Sequence, residues 1–193
     1  MKIQFLFLFV LVQTIAFAQS SPVKKQKSSF CFQLYGGILE GHNGTSWQAH
    51  TIGGIRKQKW FGGLGAGFDH YFYRSLPFFI SLNRYLKAGN NSFFLQADGG
   101  INYAWSPDLL IRGNELSDRL HPGFYWSGGA GFSASLGKRN AFLLNVSYSY
   151  KQLKETKELV NFCPNPPCEP SKEEYNYHLR RISLRIGWLF GGD

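Results

Sequence analysis

The amino-acid sequence predicts an all-β protein, an eight-stranded antiparallel up-and-down barrel, on three observations. Apolar and polar residues alternate with a period of two in eight successive runs. The connections between these runs alternate between tight turns and longer segments. After the first 18 residues no apolar stretch is long enough for a membrane-spanning helix, although aromatic residues make up 17% of the chain.

The chain opens with one basic residue, Lys2, an apolar core from Phe5 to Val12 and then Ala16-Phe17-Ala18. This is the layout of a secretory signal peptide cut after Ala18, and its apolar core is short for a membrane-anchoring helix. The first cysteine is Cys31, so no lipid-anchoring cysteine stands at the cut. The expected organisation is a signal peptide at 1–18, a short segment at 19–28, a barrel at 29–190 and a tail at 191–193. Removing Lys2 from the 21 Lys and Arg leaves 20 against 12 Asp and Glu, a formal charge of +8 for the exported part. Export argues against nucleic acid as the partner of that surplus. The basic residues are also not in one run, since Lys57, Lys59, Lys87, Lys138 and Arg139 mark short connections.

Each run has its own two faces. The first, 29–39, sets Phe30, Phe32, Leu34 and Ile38 against Cys31, Gln33, Tyr35 and Gly37. The second, 46–57, sets Trp47, Ala49, Thr51 and Ile55 against Gln48, His50, Gly54 and Arg56, with Ile52 as an apolar exception. In the third, 60–73, Leu64, Ala66, Phe68 and Phe72 alternate with glycines, Asp69 and Tyr71. The fourth, 78–87, opposes Phe78, Ile80, Leu82 and Leu86 to Phe79, Ser81, Asn83 and Tyr85, and Pro77 before it suits a strand start. In the fifth, 92–105, Phe93, Leu95, Ala97, Ile101, Tyr103 and Trp105 face away from Gln96, Asp98, Gly100 and Asn102. The sixth, 123–136, and the seventh, 141–151, pair bulky residues such as Trp126, Phe132, Leu144 and Tyr148 with Ser, Gly and Asn. The eighth runs from about Tyr175 to Phe190 and separates Ile182, Leu184, Ile186, Trp188 and Phe190 from Arg181, Ser183, Arg185 and Gly187.

Connections after runs two, four and six are tight, whereas the long ones, 106–122 and 153–174, follow runs five and seven. An even strand count with short turns at one end and long loops at the other is the plan of a transmembrane barrel. Volume then decides which face looks outward. About 33 bulky side chains on the apolar faces cannot enter an interior that eight strands leave only just wide enough to fill. Turning Arg181 and Arg185 to lipid would also cost roughly 2–4 kcal/mol each. Inside, both can pair with Asp98 or Asp69, and Arg56 belongs to the same inward set. Outward aromatics gather toward both strand ends, as interfacial girdles do. Arg84 and His70 break the apolar rule on that face, either by snorkelling at an interface or through a one-residue register slip.

These features resemble the small eight-stranded outer-membrane barrels of the OmpA-transmembrane and OmpX type, the porin-like outer-membrane β-barrel domain family, over residues 29–190. The most specific piece is the last strand, I-S-L-R-I-G-W-L-F. The resemblance implies that Ile186, Trp188 and Phe190 form the signal strand presented to the barrel-assembly machinery. Gly191, Gly192 and Asp193 depart from the terminal aromatic of that pattern. It also implies residence in the bacterial outer membrane, with outer-membrane lipid as surroundings.

Few residues point to chemistry. Cys163 and Cys168, in F-C-P-N-P-P-C-E-P, suit a disulfide in an oxidising compartment; free thiols and a metal site with His178 are the alternatives. Cys31 reads as a small inward residue. For an outer-leaflet lipid-modifying enzyme the nearest candidates are Asp69 and His70 with Ser75, then His178 with Ser171. No G-x-S-x-G elbow or nucleophile with an adjacent base accompanies them. The N-G-T at 43 and N-V-S at 145 match the glycosylation pattern weakly, and the Gly-rich pieces lack the Lys-Ser/Thr of a phosphate loop. The expected protein is therefore a non-enzymatic monomer with no cofactor and no metal. It has a structural role or a surface-interaction role through its long loops, with an unidentified extracellular or envelope partner, no nucleic acid and no open pore. A soluble exported lipocalin-like barrel is the other alternative.

Overall fold

A computed structural model describes residues 28–41, 44–70, 74–87, 91–105, 116–137, 139–159 and 171–191. The expected signal peptide, Cys163 and Cys168 lie outside them. Among the described residues nine strands form in chain order: β1 (Ser29–Gly41), β2 (Gly44–Lys57), β3 (Trp60–His70), β4 (Arg74–Tyr85), β5 (Asn91–Trp105), β6 (Leu116–His121), β7 (Gly123–Ser135), β8 (Asn140–Leu159) and β9 (Ser171–Phe190). Consecutive strands pair antiparallel around the ring β1-β2-β3-β4-β5-β7-β8-β9, and β1 returns to β9 from Phe32↔Phe190 to Glu40↔Ile182. The result is a closed eight-stranded barrel. Among the described residues β6 pairs only with β8, and it continues the sixth position of the ring beyond β7.

Three element boundaries differ from the sequence expectation. β4 begins at Arg74, so Pro77 lies inside a strand rather than at its start. Pro77 has no amide hydrogen, and the β3–β4 ladder is correspondingly interrupted between Ala66↔Phe78 and Asp69↔Ser75. Secondly, the expected loop 106–122 contains β6. Tyr125 pairs with Lys151 and His121 with Lys154, so four steps on one strand answer three on the other. The extra residue at Pro122–Gly123 is a bulge, which resets the alternation and hides the continuation from a period-two reading. Thirdly, the described residues of the expected loop 153–174, at 153–159 and 171–174, are strand, because β8 and β9 stay paired from Asn140↔Phe190 to Leu159↔Ser171, with β6 along the other edge of β8. Their polar residues on both faces carry no amphipathic signal.

The inward and outward sets follow the sequence closely. Phe30, Leu64, Ile80 and Phe93 are all more than 60% exposed on the outside, while Gln33, Ser81, Asn83 and Asn145 are buried within. Ile52 is buried inside, and His70 and Arg84 are exposed outside, with no register slip at either.

Packing inside depends on glycines opposite rings. Gly65 pairs with Phe79, Gly131 with Phe94, Gly67 with His50 and Gly187 with Tyr35. In each pair a Cβ on the glycine would run into the ring of its partner. The absent side chain is therefore the space that the aromatic occupies, and small and large residues alternate around the narrow interior. Gly65→Val is expected to destabilise the barrel by about 1–3 kcal/mol through overpacking. Gly65→Val with Phe79→Ala should recover part of that loss, as measured by urea unfolding midpoints of the folded band.

Candidate functional site

The lumen has three levels. At the short-turn end, Cys31, Phe61, Tyr85, Phe94, Ala141, Leu143 and Leu189 belong to one buried cluster. Tyr85 and Phe94 have ring centroids 5.4 Å apart, and the Arg56 guanidinium lies 4.1 Å from the Tyr85 ring centre. This plug adds Phe61, Phe94, Ala141, Leu143 and Leu189 to the inward residues read from the sequence, which already included Cys31 and Tyr85. Near the turns, strands carry apolar residues on both faces, so alternation hides Phe61, Phe94, Leu143 and Leu189.

At mid-height the interior is organised by Arg185, only 1% exposed. Its Nε and Nη2 donate to Asn145 Oδ1 at 3.1 and 2.7 Å, and Nη2 also donates to Ser147 Oγ at 2.9 Å and Gln96 Oε1 at 3.3 Å. Nη1 lies 3.2 Å from His50 Nδ1 and 3.8 Å from Asp98 Oδ2. Asp98 accepts further bonds from Ser81 Oγ at 2.7 Å and from Gln96 Nε2 at 3.0 Å. A guanidinium presents a fixed fork of donors, and here almost all of them face an acceptor. This matters because a buried charge is tolerated only when paired and hydrogen-bonded.

Toward the long-loop end Lys151 Nζ bonds the Asp69 carboxylate, and Ser75 Oγ donates to the same carboxylate. Lys151 Nζ is also 3.0 Å from Ser75 Oγ and 5.2 Å from the centre of the Tyr125 ring. Arg181 Nη1 reaches the Gly44 carbonyl at 2.5 Å and Ser46 Oγ at 3.5 Å. Higher still, the Tyr177 hydroxyl donates to Glu155 at 2.9 Å.

Of the five inward charges read from the sequence, Arg185 and Asp98 come together. Asp69 turns instead to Lys151, Arg181 to a backbone carbonyl and Arg56 to an aromatic face. Sequence reasoning missed Lys151, although its parity with Ser147 and Ser149 already placed it on the inward set. Asp69 and Ser75 share the lumen, but His70 is exposed on the outer face, so this set is not assembled as a nucleophile with its base. His178 and Ser171 are seven residues apart on β9, roughly 23 Å along an extended strand. Among the described residues no three His, Cys, Asp or Glu side chains group as a metal site.

The outer face is a belt. On β9 the apolar positions run from Ile182 to Phe190, nine residues, within the 9–11 that a tilted strand needs to cross hydrocarbon. Above it Trp126 packs on Tyr148 and Tyr150 at 5.7 and 6.4 Å, and the Tyr150 hydroxyl meets His178 Nδ1 at 2.6 Å. Trp47 and Phe68, 5.0 Å apart, continue the ring on β2 and β3. At the short-turn edge Phe93–Phe132 and Trp188–Phe190 pair at 5.0 and 6.3 Å, and Arg84 covers Trp60 at 5.2 Å. Ile186, Trp188 and Phe190 all point outward and are at least one-third exposed.

Removing Arg185 leaves the Asp98 carboxylate buried without its cation. Arg185→Met should therefore destabilise the barrel by about 3–5 kcal/mol, whereas Arg185→Met with Asp98→Asn should lose much less. Urea titration of the four proteins of this cycle checks the coupling.

No family model matches the sequence, and no curated protein matches it either. Solved structures do. The crystal structure of Neisserial surface protein A (NspA) superposes with a TM-score of 0.58 at 10% identity, over 86% of this chain and 97% of that one. The outer membrane protein OprG from Pseudomonas aeruginosa gives 0.55 at 12% identity, over 86% and 98%. In fold, this chain is similar to the small eight-stranded barrels of bacterial outer membranes.

Proposed function

We propose that the chain is an integral outer-membrane protein that spans the bilayer as a monomeric barrel without an open pore and acts at the cell surface through its β8–β9 ribbon. The observation that carries this reading is the contrast between faces: a continuous exposed apolar exterior around an interior filled by an aromatic plug and a paired polar network. A soluble barrel with a lipocalin-like cavity requires the opposite arrangement. Contiguous exposed apolar surface of this extent in a water-soluble monomer is an aggregation liability. Open aqueous channels belong to barrels of 16–18 strands. The fold shared with two outer-membrane proteins supports the same location.

The surface role rests on the ribbon. Beyond the belt, β8 from Lys151 to Leu159 and β9 from Ser171 to Leu179 remain paired, reaching roughly 25 Å along the strand direction. β1 stops at Glu40↔Ile182, so the outer edge of β9 beyond that point has no strand neighbour among the described residues. Exposed edges of this kind accept an added strand from a partner, with side chains giving selectivity. The separation of His70 from Ser75 favours this reading over outer-leaflet lipid enzymology. The barrel-assembly machinery is the partner proposed for Ile186, Trp188 and Phe190 during biogenesis.

Expression of the full chain in a didermic bacterium should place it in the detergent-extracted outer-membrane fraction, with a band whose mobility changes on boiling. In planar bilayers the purified protein should give no porin-like conductance steps. A soluble periplasmic band would count against the membrane reading, and stable conductance against the filled lumen.

A further inference from the structure

We propose that the short-turn rim of the barrel is a docking surface for the phosphate headgroups of anionic phospholipid in the adjoining leaflet. The proposal rests on the membrane reading above and adds a lipid preference to it.

Charge is distributed unequally between the two ends. Around the short turns Lys57, Lys59, Arg84, Lys87 and Arg139 are all exposed, and Arg56 is half-buried at the mouth of the lumen. Among the described residues no Asp or Glu lies at that end, and the nearest is Asp98, buried at mid-height beside Arg185. The long-loop end is mixed by contrast, with Glu40, Glu173 and Glu174 exposed among Arg74, Lys154 and Arg180. A rim whose described residues hold this surplus of cations attracts neutralising anions from outside the protein.

The backbone that carries these cations is fixed. Tyr85 N donates to the Lys59 carbonyl at 2.7 Å, which ties the first turn to the end of β4. Lys87 N donates to Ser92 Oγ at 3.1 Å and closes the second turn. Ser135 N donates to Asn91 Oδ1 at 3.2 Å, joining the second turn to the third. The basic side chains thus lie along one arc from β2 to β8 and not on independent loops.

Their depth selects the occupant. The Arg84 guanidinium lies 5.2 Å over the ring of Trp60, the residue after Lys59, and Leu86, which precedes Lys87 and donates its amide to the Phe93 carbonyl at 2.9 Å, is more than half exposed, as is Phe93. Aromatic and aliphatic groups at the edge of an apolar belt mark the level of headgroups. Cations rooted directly beside them stand at phosphate height, where long Lys and Arg stems keep their heads in the polar layer. Each such cation adds attraction to an anionic surface that fades beyond a Debye length.

The test uses the full-chain protein reconstituted in vesicles, with tryptophan quenching by brominated phosphatidylglycerol compared with brominated phosphatidylcholine. Insertion is checked separately by the boiling-dependent mobility shift. The expected result at low salt is a preference for phosphatidylglycerol on the order of tenfold, shrinking in 0.5 M salt at roughly a 4 Å screening length. The triple change Lys57→Gln, Lys59→Gln and Lys87→Gln should abolish most of it, and Lys154→Gln with Arg180→Gln should leave it in place. Equal quenching by both lipids in inserted protein overturns the proposal, as does a preference that survives the triple change. Failure to insert overturns the membrane reading instead.

Discussion

Closure of the sheet is the constraint on which everything else depends. A strand facing hydrocarbon has no water for its amide and carbonyl groups, so every such group must pair with a neighbour. The β1–β9 ladder from Phe32↔Phe190 to Glu40↔Ile182 removes both edges within the belt. With eight strands, closure also fixes a narrow interior. Each strand is thereby required to be bulky and apolar on one face and compact on the other. The alternation in the sequence is the record of that requirement.

The narrow interior explains how the inside is built. Rings fit only where the cross-strand partner has no side chain, as in Phe79 against Gly65 and Phe94 against Gly131. Charges fit only where the neighbouring strands supply acceptors. Arg185 on β9 draws on β8 through Asn145 and Ser147, on β5 through Gln96 and Asp98, and on β2 through His50. One side chain therefore ties strands from opposite sides of the barrel. Lys151 on β8 does the same with Asp69 on β3 and Ser75 on β4. Apolar closure at the short-turn end and ionic cross-bracing above it fill one volume by different chemistry, because polar groups can be satisfied only where partners converge.

Outside, the same barrel meets layered surroundings, and its side chains are layered to match. Trp126, Tyr148 and Tyr150 mark one edge of the belt and Trp60, Phe93 and Trp188 the other. Beyond the first edge the pairing of β8 with β9 continues into a ribbon of mixed charge. Beyond the second, the exposed charges among the described residues are cationic. Gln58, at φ 57°, shows how tight the β2–β3 turn is, since a left-handed backbone is uncommon outside glycine.

The sequence by itself determined the fold class, the eight main strands and the face of nearly every residue on them. Those depend on a period of two, which is local and survives without any knowledge of partners. Tertiary structure alone decided which inward residues meet. Asp69 and Lys151 are 82 positions apart and touch only because the strand registers around the closed ring bring β3 and β8 to the same height across the lumen. It also decided where alternation fails: at the Pro122–Gly123 bulge, where one extra residue changes the phase, and in the β8–β9 ribbon, where the buried inward positions Lys151, Leu153 and Glu155 mix charged and apolar residues and the outward face lies beyond the apolar belt. Local periodicity reports on a surface that separates two solvents. Contacts across the lumen depend on closure and register, which belong to the whole ring.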